Sequence, residues 1–171
     1  MNLVSTINCG WMLACRRRLR RFHRSTRDVA RTQERVLMDV VSSNRGCAYA
    51  REYGFESIRN VEHFRERVPI ANYEDFEPWI DQICRGRSHV LTQEPVRLLE
   101  PTSGSVSGRR LIPYTKSLQH QFQNGIDPWI GDLFNGHPKV RRGRAYWLVT
   151  PAIHMERTAC GLPIGFEDDA D

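Results

Sequence analysis

Leu19, Phe22, Val29, Val36 and Val40 recur at spacings of three, four and seven, with Thr26 and Gln33 in the gaps. That period predicts one amphipathic helix, which Asn44 and Gly46 are suited to end. After a polar link, Asn60 is placed to cap a short helix through Arg67, closed by Pro69. Asn72 or Glu77 opens another, with Pro78 near the first turn, and Phe76, Trp79, Ile80 and Ile83 form its buried face. Gly86 is a natural stop. The period then changes: Pro95–Glu100 and Leu111–Tyr114 read as strands around a glycine and hydroxyl loop. Thr115 is placed to cap a long helix with apolar positions Leu118, Phe122, Ile126, Trp129, Ile130 and Leu133, and Asp127–Pro128 should kink or divide it. Gly136, His137 and Pro138 end it. Residues 145–150 are nearly continuously apolar, as in a strand covered on both faces. The last twenty residues carry no clear element, so the sheet looks incomplete.

At 171 residues the chain has the size of about one domain, and 40% hydrophobic with 26% charged residues is ordinary for a globular protein. The net charge of +5 is concentrated at Arg16, Arg17, Arg18, Arg20, Arg21 and Arg24, with a second basic group at Lys139, Arg141, Arg142 and Arg144. A basic helix serves a nucleic-acid or anionic surface, or is the solvated back of a docked helix. We read it as the latter, because charge alone supplies no chemistry. The apolar start precedes its arginines, the reverse of a secretory signal, and is too short to span a bilayer. Five cysteines at irregular spacing fit neither a disulfide scaffold nor a zinc site, and point to reduced thiols in the cytoplasm. No histidine pair has metal-ligand spacing: His63, His89, His120, His137 and His154 read as structural or surface residues. Asp168 and Asp169 read as a solvated tail, and Trp129 and Trp147 as core.

The informative stretch is Leu98–Tyr114. Its glycines let the backbone approach a bound group, and its hydroxyls and N–H groups make an anion cradle without side-chain bulk. Arg109 and Arg110 add positive charge suited to phosphate oxygens. The stretch is neither G-x-x-x-x-G-K-[ST] nor G-x-G-x-x-G.

The segment Glu100-Pro-Thr-Ser-Gly-Ser-Val-Ser-Gly-Arg-Arg-Leu-Ile-Pro-Tyr-Thr115 resembles the first nucleotide motif of the auxin-responsive acyl-acid amido synthetases, the Gretchen Hagen family, in its bacterial form. The likeness extends to residues 64–75, Trp79-Ile80, 126–130, 143–147 and 161–169, so it covers about residues 36 to 169. The family belongs to the adenylate-forming superfamily. The resemblance implies an α/β fold in which helices are followed by the first strands of a sheet, here the N-terminal part of an adenylate-forming large domain and incomplete. Residues 1–43 would be a basic segment and helix, and 44–171 the partial domain with its phosphate loop at 102–110. It further implies ATP and Mg²⁺ as cofactors, and a carboxylic acid plus an amino acid or amine as substrates. Thr102, Ser103, Gly104, Ser105, Ser107, Gly108 and Arg110 would cradle the ATP phosphates. Arg110 stands where the family pattern has lysine; charge is kept, but the guanidinium is planar and longer. Catalytic residues are not identifiable, and no metal ligands are assigned. Family members are several times longer, so the chain alone is expected to be inactive. The other readings are a basic nucleic-acid-binding protein and a truncated gene product without its own function.

Overall fold

The computed structural model describes residues 3–102, 110–144 and 156–165. They form two compact units: one draws on residues 1–32 and 118–149, the other on 33–117 and 150–171.

The larger unit begins within α2 (Val29–Ser43) and continues through α3 (Ala48–Glu52), a 3-10 turn at Phe55–Ser57, α4 (Val61–Arg67) and α5 (Tyr73–Cys84). Strands β1 (Leu98–Pro101) and β2 (Leu111–Tyr114) follow, and β3 (Glu156–Arg157) and β4 (Pro163–Ile164) complete a sheet of order β2-β1-β4-β3. The pairing is mixed: β1 runs antiparallel to β2 and parallel to β4, and β3 and β4 are antiparallel. The first strands of an incomplete sheet, expected from the sequence, are thus present among the described residues as a small mixed one. The hairpin of β3 and β4 was not foreseen, because Pro163 and Gly161 read as loop residues. The turn needs Gly161, which sits at φ +86° with its N–H reaching the Thr158 carbonyl at 2.9 Å.

Local chemistry sets the helix limits. Cys47 caps α3 by accepting the Ala50 N–H on its buried sulfur at 3.4 Å. Asn60 caps α4 by accepting from the His63 N–H at 2.8 Å. Asp75 takes the Asn72 N–H at 2.7 Å, so α5 starts at Tyr73 and Pro78 falls inside it rather than in its first turn. Gly86, at φ +90°, ends it as read. Two apolar clusters follow: Val41, Cys47, Ala50, Phe55 and Ile58, and separately Ile80, Ile83, Val90 and Leu99. Each fully buried Ile or Leu contributes about 1.5–3 kcal/mol of transfer free energy.

The smaller unit pairs α1 (Leu3–Ser25) with most of α6 (Lys116–Gly136), followed by a 3-10 turn at Val140–Arg142. Cys15, Ile130 and Phe134 form its centre, with Trp11, Met12 and Ile126 around them. Gly131 admits Leu19, whose Cδ2 would stand 3.0 Å from an added Cβ. Asn8 donates to the Arg141 and Gly143 carbonyls at 2.9 Å each. Arg18 pairs with buried Asp127, which also accepts from Gln123 at 2.5 Å.

Three expectations are corrected. The single helix through Leu19 and Val40 is two helices. Ser25 and Thr26 turn their hydroxyls onto the Phe22 and His23 carbonyls, and Asp28 takes the Arg31 N–H at 3.2 Å, opening α2. Of the kink or division expected at Asp127–Pro128, the division is absent, since α6 runs from Lys116 to Gly136 with Pro128 inside it. Trp129 is 54% exposed rather than a core residue. The strand read at 145–150, with Trp147, lies outside the described residues, as do His154, Asp168 and Asp169.

Candidate nucleotide site

β1 and β2 are the two rails of the candidate loop. Their register sets Glu100 opposite Ile112 and Pro101 opposite Leu111. Beyond the last pair, the Thr102 N–H donates to the Arg110 carbonyl at 2.9 Å, which closes the base of the loop. Thr102 and Arg110 therefore sit side by side. Ser103, Gly104, Ser105, Ser107 and Gly108 lie outside the described residues, as does Arg109.

The first turn of α5 braces this base. The Tyr73 hydroxyl accepts the Leu111 N–H at 2.7 Å and stands 3.3 Å from the Leu111 carbonyl oxygen. The Arg110 guanidinium lies over the Tyr73 ring, 5.4 Å from its centroid, and its nitrogen is 3.3 Å from a Glu74 carboxylate oxygen. Both charged side chains are largely solvated, at 46% and 61% exposure. Such a pair is worth about 0–1 kcal/mol, so a phosphate group can replace Glu74 at little cost. Stacking and pairing aim the cation without immobilising it. Arg110 was legible as the loop's charge. Tyr73 and Glu74 were not read as site residues, although they lie in the family-like segment 64–75 and next to the Asn72 cap.

Leu99 and Glu100 show the alternation of a strand. Leu99 is fully buried in the apolar cluster, while Glu100 points to the other face. Glu100 Oε2 is buried with no hydrogen-bond partner among the described residues. Burial pushes its carboxyl above the usual range, because the charged form is poorly solvated there. Among the described residues no group of three acidic, histidine or cysteine side chains could hold a metal ion. An ion bound mainly by nucleotide phosphates and water needs few protein ligands.

Helices thus lead into β1, and β2 returns antiparallel to it with Arg110 braced on Tyr73 and Glu74 just before its start. The chain superimposes on "AtGH3.15 acyl acid amido synthetase in complex with 2,4-DB" with a TM-score of 0.73 and 25% identity, covering 90% of this chain and 26% of that one. Residues 18–167 match the GH3 family N-terminal domain, and the chain belongs to the GH3 family. Similar relatives include a "Probable indole-3-acetic acid-amido synthetase GH3.12" of Oryza sativa subsp. japonica, 37% identical over 52% of this chain and 15% of the relative. A "Jasmonoyl--L-amino acid synthetase GH3.3" from the same plant is 39% identical over 52% of this chain and 20% of that protein. The chain thus spans about a quarter or less of the proteins it matches.

Proposed function

We propose that the chain supplies the ATP phosphate grip of an acyl-acid amido synthetase. In this reading a substrate carboxylate attacks the α-phosphate, an acyl-adenylate forms and pyrophosphate leaves. An amino acid or amine then displaces AMP to give an amide. The relatives named for indole-3-acetic acid and for jasmonoyl–amino acid formation support carboxylic acids and amino acids as the substrate classes. The reaction belongs in the cytoplasm, where the five thiols stay reduced, and Mg²⁺ would neutralise phosphate charge. No described helix is long and apolar enough to cross a membrane.

The observation that carries the reading is Arg110, stacked on Tyr73 and weakly held by Glu74 at the mouth of a loop whose base is closed. Thr102, Ser103, Gly104, Ser105, Ser107 and Gly108 would donate to phosphate oxygens, and Arg110 would balance their charge. This chain's work is positioning and electrostatics, the main sources of catalysis in phosphoryl transfer. The adenine, acyl and amine pockets would come from other parts of the full-length enzyme, and the 171-residue chain by itself should form no acyl-adenylate. The basic first helix is read here as the solvated back of a docked helix: Arg18 pairs with Asp127, and His23 stands 3.2 Å from Asp132.

Titration with ATP, followed by calorimetry, tests the grip on this chain. Arg110→Ala should weaken binding by roughly tenfold, and Arg110→Lys by much less, as loss of a charged hydrogen bond against its partial retention requires. Equal affinities for all three proteins would remove Arg110 from the site.

A further inference from the structure

The hairpin of β3 and β4 brings Cys160 against the C-terminal end of α5, where Cys84 sits, and the proposed ligase chemistry uses neither thiol. Cys160 Sγ is 3.7 Å from the Ile83 carbonyl oxygen, and that peptide carries the Cys84 nitrogen. An added Cβ at Gly86 would stand 3.1 Å from Cys160 Cβ, so glycine there permits the approach. Both cysteines are reduced, Cys84 half-buried and Cys160 exposed. A cavity of about 550 Å³ has Cys160 in its wall, with Ile83, Gly86, Arg87, His89 and Gly161 among the other lining residues.

The environments of the two thiols differ. Thr158 Oγ1 lies 3.2 Å from Cys160 Sγ and itself accepts the Leu162 N–H at 3.0 Å. Hydrogen bonding from Thr158, with the Leu162 N–H second, draws the Cys160 thiol below its ordinary range. Burial pushes the Cys84 thiol up, and the charges of Asp81 and Cys160 add to it. Cys160 is therefore the readier of the two to give the nucleophilic thiolate, and Cys84 the less ready.

We propose that Cys160 and Cys84 form a peroxide-responsive thiol pair, in which Cys160 is oxidised first and Cys84 closes a disulfide that ties the β3–β4 hairpin to α5. The oxidant is hydrogen peroxide. The Cys160 thiolate attacks one peroxide oxygen, the O–O bond breaks, and the second oxygen leaves as water after taking up a proton. Cys160 becomes a sulfenic acid, its sulfur oxidised by two electrons. The Cys84 sulfur then attacks the Cys160 sulfur. The S–S bond forms, the S–O bond breaks, and hydroxide leaves with the Cys84 proton as a second water. The inference rests on these two thiols and the cavity, not on the ligase reading. Its mechanical reach is short: β4 pairs with β1 through Gly165 N–H to Leu99 carbonyl at 2.8 Å, and β1 runs into Thr102.

The reduced 171-residue chain is treated with equimolar hydrogen peroxide, alkylated, digested and mapped by mass spectrometry. The expected product joins the Cys84 and Cys160 peptides, two hydrogens lighter than their sum, while Cys9, Cys15 and Cys47 are alkylated. Reductant should reverse it. In Cys84→Ser, Cys160 should accumulate as a sulfenic acid trapped by dimedone, with its thiol lost about tenfold faster than that of Cys47. Cys160→Ser should leave Cys84 alkylatable. Peroxide treatment that leaves Cys160 as open to alkylation as Cys9, or that links Cys160 to any cysteine other than Cys84, overturns the proposal. The wild-type map decides even if a variant fails to fold.

Discussion

Glu100 shows how a single side chain can sit against the local rule and carry a measurable consequence. Its folded carboxyl holds a proton more tightly than in the unfolded chain, because burial disfavours the charge. The stability that this protonation contributes is fully present below the unfolded value of about 4.5 and is lost as pH rises through the raised folded value. Glu100→Gln removes the titration. Urea midpoints of Glu100→Gln minus those of the wild type should therefore increase from about pH 4 to about pH 8. A difference that stays flat over that span would show that Oε2 is solvated after all. The sequence displays Glu100 at the head of the loop but not its burial, which depends on strands brought together across the sheet. Arg110 is a similar case. Its charge is legible, while its Glu74 partner lies 36 residues earlier and no local pattern points to it.

Among the elements, those with limits set by neighbouring residues were readable and those closed from afar were not. Asn60, Asn72 and Gly86 mark their helix ends because cap and capped group lie within a turn. Replacing Asn60 by Ala should cost about 1 kcal/mol, seen as a lower urea midpoint with an unchanged slope, since only one N–H loses its partner. A slope change would mean that α4 does more than cap locally. By contrast, the first turn of α6 is served by Glu94, which accepts the Ser117 N–H at 3.0 Å from 23 residues away. Thr115, read as the cap, stands directly before Lys116 and is buried there. The division between α1 and α2 was missed for another reason. Hydrophobic spacing continues through Ser25–Asp28, and only hydroxyl and carboxylate bonds to the backbone break the helix.

On the scale of the molecule, three apolar clusters among the described residues share the burial, two in the larger unit and one in the smaller. Leu99 is fully buried on the strand with a partner on each side. Leu99→Ala should cost about 2–5 kcal/mol. It should also speed amide exchange in β1, β2 and α5 more than in the α1 segment around Cys15, whose packing lies in the other unit. Equal acceleration everywhere would show that the units open together. The helix-then-strand order was legible, because period and turn residues are local. The two-unit division was not, because it depends on ties such as Arg18 to Asp127, 109 residues apart. That tie has a consequence during synthesis. The first helix leaves the ribosome long before Ile130 and Phe134 exist, and at roughly 5–20 residues per second its apolar face waits several seconds for them. For that interval the nascent chain presents a basic, half-apolar helix to whatever chaperones stand at the exit, and residues 33–117 of the larger unit are made before the smaller can close.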